Sequence, residues 1–290
     1  MVDTTHQWFL HRPASWLLLT LLAVAACAPA RLFVADAEEN WRALSPPPDD
    51  EEIHRVLLIG DVGAVPLDGS SPVLRGMRHQ LAETADRSTV VFLGDNLYCC
   101  GLPDSASPDR AAAETRLRDF LSSASQSGAR VIVIPGNHDW NDSNPGGLEA
   151  VRRQEQFVEA FLDAGDSFLP SDGFPGPARV KLTDDIILLA VDTEWYLTDH
   201  PKSFGDDGRN DISERDDLLL ELAEEVRKAD DEHVIVVGHH PLMSNGIHAG
   251  AAPVREHLFP LTALWSNAYI PLPVVGTLSI LYRQYLGVNE

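Results

Sequence analysis

A chain of 290 residues with 44% apolar side chains can bury a full-sized core, which excludes a disordered or fibrous protein. Its formal net charge of −22 at pH 7 opposes any surface that must neutralise nucleic-acid phosphates, so no nucleic-acid partner is expected. Converging carboxylates would suit hard cations, but total charge does not reveal convergence.

The elements follow in chain order. His6, His11 and Arg12 precede an apolar run from Trp16 to Ala26 and then Cys27, the layout of an export signal over residues 1–27 and too short to span a bilayer comfortably. Leu22-Ala-Val-Ala-Ala-Cys27 resembles a bacterial lipobox, which implies lipidation at Cys27 and a location in the periplasm or on the outer membrane through that anchor. An ordinary cleaved signal or an uncleaved anchor is the alternative. Residues 28–52 contain Pro46, Pro47 and Pro48 followed by four acidic residues, a polar, stiff tether. The folded domain is read as residues 53–290.

From there short apolar runs alternate with amphipathic segments. Arg55 to Ile59 reads as a strand, and Ser71-Pro72 opens a helix to about Ala85, with serine as cap and proline in the first turn. Thr89 to Leu93 is a strand, Asp109 to Ser125 a helix closed by Gly128, and Arg130 to Ile134 a third strand. Leu148 to Leu162 is helical, Val180 to Leu182 and Ile186 to Val191 form a hairpin-like pair, Ser213 to Lys228 is helical, and Val234 to Val237 is a strand. Alternation mixed with hairpin pairing favours an α/β sandwich over a doubly wound parallel sheet. With Cys27 set aside, the remaining cysteines are the neighbours Cys99 and Cys100, which read as two reduced thiols in a loop, with a strained vicinal disulfide as the alternative.

Four strand ends carry the chemistry: Gly60-Asp61-Val62-Gly63, Gly94-Asp95-Asn96-Leu97-Tyr98, Gly136-Asn137-His138-Asp139 and Gly238-His239-His240-Pro241. In each, glycine permits a sharp turn after the strand, so the next side chain points into a shared crevice at the C-terminal edge of the sheet. Aspartate, asparagine, histidine and tyrosine are oxygen and imidazole donors for iron, manganese or zinc, and no cysteine ends a strand to make a thiolate site. A single aspartate after a strand is usually a turn residue or a helix cap. Four such ends in one order are not explained that way.

Together these motifs resemble the calcineurin-like metallophosphoesterases, and Tyr98, three residues after Asp95, resembles the mark of the purple acid phosphatase branch. The resemblance covers about residues 53–250 and includes Val191-Asp192-Thr193. It implies a four-layer α/β/β/α sandwich and two-metal hydrolysis of phosphate monoesters by a metal-activated hydroxide, on a phosphorylated small-molecule or peptide substrate. Phosphodiester or nucleotide hydrolysis on the same site is the near alternative. By matching motif, Asp61 and Tyr98 hold the first metal, Asp95 bridges both, and Asn137 and His239 hold the second. One metal is implied to be Fe(III), the partner of a phenolate, and the other Fe, Zn or Mn. His138 takes the place of the proton donor to the leaving oxygen, Asp139 the place of its orienting group, and His240 and His248 reach substrate oxygens.

The family pattern closes with a Gly-His-x-His motif, which is absent here. The chain instead continues through His257 and an apolar stretch, Leu272 to Leu286, in which Pro273 and Arg283 count against a membrane span. The expectation is a domain incomplete at its C-terminus, with an impaired, binding-only lipoprotein as the alternative to an enzyme.

Overall fold

The computed structural model describes residues 54–64, 66, 71–198, 215–241, 254–263, 265 and 267–286. The readings of residues 1–27 as signal and 28–52 as tether, with lipidation at Cys27, lie outside the described residues, as does His248. The chain divides into two compact units, Pro47–Pro241 and the combination of Met1–Pro46 with Leu242–Glu290.

The larger unit is built on two sheets. In the first, β1 (Arg55–Ile59), β2 (Ser88–Leu93) and β3 (Arg130–Ile134) run parallel in that order, with Leu57 opposite Val90 and Phe92 opposite Val133. In the second, β4 (Ala178–Lys181) pairs antiparallel with β5 (Ile186–Ala190), and β6 (His233–Val237) lies parallel on the other side of β5. The hairpin and the mixed pairing match the sequence pattern.

Helices α1 (Pro72–Leu81), α2 (Arg110–Ser125) and α3 (Gly147–Leu162) cover one face of the first sheet. There Leu74, Leu117, Phe120, Leu121 and Val151 pack on Val90, Phe92 and Val133. The opposite face, through Val91, Ile132 and Ile134, meets Val180, Leu188, Ala190 and Val237 of the second sheet. Ile187 and Leu189, on the far side of that second sheet, pack with Ala229, just beyond α5 (Arg215–Lys228). The layering is therefore helices, sheet, sheet, helix, as the α/β/β/α expectation has it. Alternation along each strand explains it: residues at i and i+2 share a face, so a strand apolar on both faces must be covered on both.

Helix α1 begins as its sequence predicts, with the Ser71 hydroxyl accepting from the Leu74 amide at 3.3 Å. It stops at Leu81, short of Ala85. The Thr84 hydroxyl donates to the Gln80 carbonyl at 2.9 Å and its amide to the Leu81 carbonyl at 3.2 Å, turning the chain into β2.

In the other unit, the described residues form α6 (Val254–Leu258) and α7 (Pro273–Leu286), after the short α4 (Thr193–Leu197) of the larger unit. The Leu272 amide donates to the Leu258 carbonyl at 2.8 Å, and His257 Nδ1 lies 3.2 Å from the Thr277 hydroxyl. His257 is thus engaged within its own unit. Among the described residues no helix is long and apolar enough to cross a membrane.

Candidate metal centre

Because β1, β2 and β3 are parallel, the residues that follow them leave the sheet at one edge, and β6 delivers its own end to the same place. The Asp61 amide donates to the Gly94 carbonyl at 3.1 Å and the Gly63 amide to the Asp95 carbonyl at 2.8 Å, which joins the first two strand ends. Two glycines make room for the others. Gly94 sits at φ 91°, and a Cβ there would lie 2.7 Å from the Gly136 nitrogen and 2.8 Å from His239 Nδ1. A Cβ on Gly136 would collide with Asp95 Oδ1. Asp61 and Asp95 themselves hold φ values of 60° and 53°, a left-handed conformation that most side chains avoid and that turned, site-bearing residues often adopt.

The donors fall into two groups about Asp95, which is buried. On one side the Tyr98 hydroxyl donates to Asp61 Oδ1 at 2.9 Å. Burial, then the Asp61 carboxylate and the charge of Asp95, hold the Tyr98 phenol far above its ordinary pKa. Without a cation the phenol therefore keeps its proton and shares it with Asp61. On the other side His239 Nδ1 donates to the Leu93 carbonyl at 2.8 Å, which turns Nε2 inward. Nε2 lies 3.1 Å from Asn137 Oδ1 and 3.4 Å from Asp95 Oδ1. One imidazole nitrogen and two oxygens thus converge, donor types that suit a transition-metal cation. The donor set thus fits metal ions: Asp61, Tyr98 and Asp95 for one, Asp95, Asn137 and His239 for the other. Among the described residues no three His, Cys, Asp or Glu side chains form a metal cage by themselves. The set depends on a phenol and an amide to complete it.

His138 stands beside these donors, its ring 4.5 Å from that of Tyr98. Its backbone amide donates to Asp95 Oδ1 at 3.1 Å, and Nε2 lies 3.8 Å from Asp95 Oδ2. The expectation that Asp139 orients this histidine gives way to a different arrangement. His138 Nδ1 donates to the Cys99 carbonyl at 2.8 Å and lies 3.2 Å from Asp142 Oδ1. Asp139 is fully buried and turned the other way. Its oxygens accept from the amides of Asn96, Leu97 and Gly136 and from the side chains of Asn96 and Gln154. The carboxylate of Asp139 is therefore the knot that ties the second strand end to the third, and burial pushes its pKa up to about 6 against the pull of those donors.

Cys99 and Cys100 are joined in a vicinal disulfide, contrary to the expectation of two free thiols. Both lie in the turn after Tyr98, which brings the two sulfurs to one side of the chain.

His240 is held by residues that follow β5. Its amide donates to the Thr193 hydroxyl at 3.0 Å, and its Nδ1 lies 2.8 Å from the same oxygen. With that hydroxyl donating to Nδ1, Nε2 carries the proton, 3.9 Å from the buried Glu194 Oε2. The His239 and His240 rings are 4.8 Å apart, so His240 lies at the centre. The Ser143 hydroxyl donates to Glu194 Oε1 at 2.7 Å, linking the loop after His138 to the holder of His240. Asp192 caps α4 through the Trp195 amide at 3.0 Å and accepts from Trp140 Nε1 at 2.8 Å. Asp142, Ser143 and Glu194 carry no motif of their own, and their sequence signal is only nearness to a strand end.

Comparison with known proteins places this geometry in context. The Calcineurin-like phosphoesterase family model matches residues 54–264. The chain is also similar to tartrate-resistant acid phosphatase type 5 of Mus musculus, at 24% identity over 230 residues covering 74% of this chain. It spans 64% of that relative's length.

Proposed function

We propose a two-metal phosphate-ester hydrolase acting on phosphomonoesters, because the chain belongs to the calcineurin-like phosphoesterase family and its strand ends bring a matching donor set together. The observation that carries this reading is the convergence of Asp95 Oδ1 and Asn137 Oδ1 on the inward Nε2 of His239, at 3.4 and 3.1 Å. Asp61 and Tyr98 would hold one ion, Asn137 and His239 the other, with Asp95 available to both. Bound there, two cations would supply Lewis-acid neutralisation of phosphoryl charge and a more acidic water. A phenolate from Tyr98 favours Fe(III) in the first position.

The protein's own groups do the rest. His138, fixed through Nδ1 by the Cys99 carbonyl and lying beside Asp142, presents Nε2 as the proton donor to the leaving oxygen. His240, whose Nε2 carries a proton, donates a hydrogen bond to a phosphoryl oxygen. Export with a lipid anchor at Cys27 is proposed from the sequence alone. The test is metal content together with hydrolysis of p-nitrophenyl phosphate and of its bis-ester. Bound metal and faster monoester turnover are expected; a metal-free, inactive protein overturns the reading, and diester preference reassigns the substrate.

A further inference from the structure

We propose that the Cys99–Cys100 disulfide is a positioning element for His138, and that its reduction by a thiol releases the histidine and slows hydrolysis; this rests on the phosphoesterase reading. The covalent connectivity carries it. A disulfide between sequence neighbours closes a ring that contains their shared peptide group, so the Cys99 carbonyl carbon is itself a ring member. That carbonyl accepts the Nδ1 proton of His138 at 2.8 Å. Closing the ring restricts the direction of the carbonyl, and the carbonyl sets the tilt of the imidazole and the placement of Nε2.

The neighbouring backbone leaves this role to the pair. Before the turn, the Asn96 and Leu97 amides are tied to Asp139. After it, Leu102 is buried and its carbonyl accepts from Arg153 Nε at 2.9 Å. Between these anchors Tyr98 and Cys99 are exposed and Cys100 is half-buried. Cys99 Sγ is thus the sulfur open to attack. A thiolate of a small dithiol bonds to Cys99 Sγ, the S–S bond breaks, and Cys100 leaves as a thiolate that takes up a proton. The second thiol of the reagent then displaces Cys99 as a thiol, and the dithiol ends as its cyclic disulfide, having given two electrons to the pair.

The test compares the full chain before and after dithiothreitol with Cys99→Ser/Cys100→Ser. The first readout is the nitrogen-bound Nδ1 proton of His138 in NMR spectra of the metal-free protein, assigned by its loss in His138→Ala. It is expected to be protected from exchange in the oxidised chain and lost to water on reduction and in the double variant. The second readout is p-nitrophenyl phosphate turnover. Reduction is expected to lower kcat about tenfold with KM nearly unchanged, less than the roughly hundredfold or more that deleting a general acid costs. Reoxidation restores it, and the double variant stays low and indifferent to thiol. Free thiols that alkylate without reduction overturn the proposal, as does an Nδ1 proton unchanged by reduction. Equal thiol inhibition of the double variant also overturns it, since the reagent then acts on the metals. If neither state hydrolyses phosphate esters, the functional reading fails while the proton readout still decides the positioning role.

Discussion

His138 and Asp139 are adjacent, yet their environments assign them opposite work. His138 is part-exposed beside Asp95 and Tyr98, whereas Asp139 is sealed inside with N–H donors on both oxygens. His138→Ala is expected to keep the metals and lower kcat by about a hundredfold or more, measured by metal analysis alongside turnover. Asp139→Ala leaves several buried N–H groups without an acceptor and should destabilise the fold by about 3 kcal/mol or more, read from urea unfolding. The two substitutions separate cleanly: the first keeps the unfolding midpoint, the second lowers it. At the same scale, Gly136→Ala drives a methyl group into Asp95 Oδ1 and is expected to abolish metal binding, measured by calorimetric titration.

At the scale of elements, the turn after β3 is the part on which both histidines depend. Trp140 is buried, anchors that turn to Asp192 at the start of α4, and is followed by Asn141, Asp142 and Ser143, all at positive φ. Three consecutive non-glycine residues in the left-handed region persist only where surrounding contacts hold them. Those contacts are visible: Asn141 Nδ2 donates to the Pro145 carbonyl at 2.9 Å, Asp142 faces His138, and Ser143 reaches Glu194. Trp140→Phe removes the donor to Asp192 together with one ring of the buried indole. It is expected to cost about 1–3 kcal/mol, read from urea unfolding, and to lower turnover through looser placement of His138 and His240.

For the molecule as a whole, three buried carboxyls set the pH dependence. Burial raises Asp139 from 3.8 to about 6, Glu155 from 4.5 to about 7 and Asp192 from 3.8 to about 7. A carboxyl whose folded pKa is raised binds more protons folded than unfolded, so its contribution to stability is full below about pH 4 and declines as pH rises toward 6–7. The urea midpoint of the metal-free protein is therefore expected to fall between pH 5 and pH 8, checked by unfolding titrations at both.

The layered fold and five of the residues that meet at the strand ends were legible in the sequence because local signals carry them. Apolar runs of strand length mark each β-element, and a glycine followed by Asp61, Asp95, Asn137 or His239 marks each strand end, with Tyr98 three residues beyond Asp95. The hairpin of β4 and β5 was equally plain, since Asp184-Asp185 breaks the apolar pattern between them. What only the tertiary structure decided is which polar neighbour serves the site and which serves the fold. Asp139 and Asp142 look alike along the chain, but one turns inward to five N–H donors and the other outward to His138. Likewise Glu194 and Ser143, 51 residues apart, meet only after the second sheet is packed on the first. The pairing of Cys99 with Cys100 belongs to the same class, since it depends on how the turn after Tyr98 directs two side chains. Periodicity encodes which face of an element is buried, whereas the partner of a polar group is set by long-range packing that no short stretch of sequence contains.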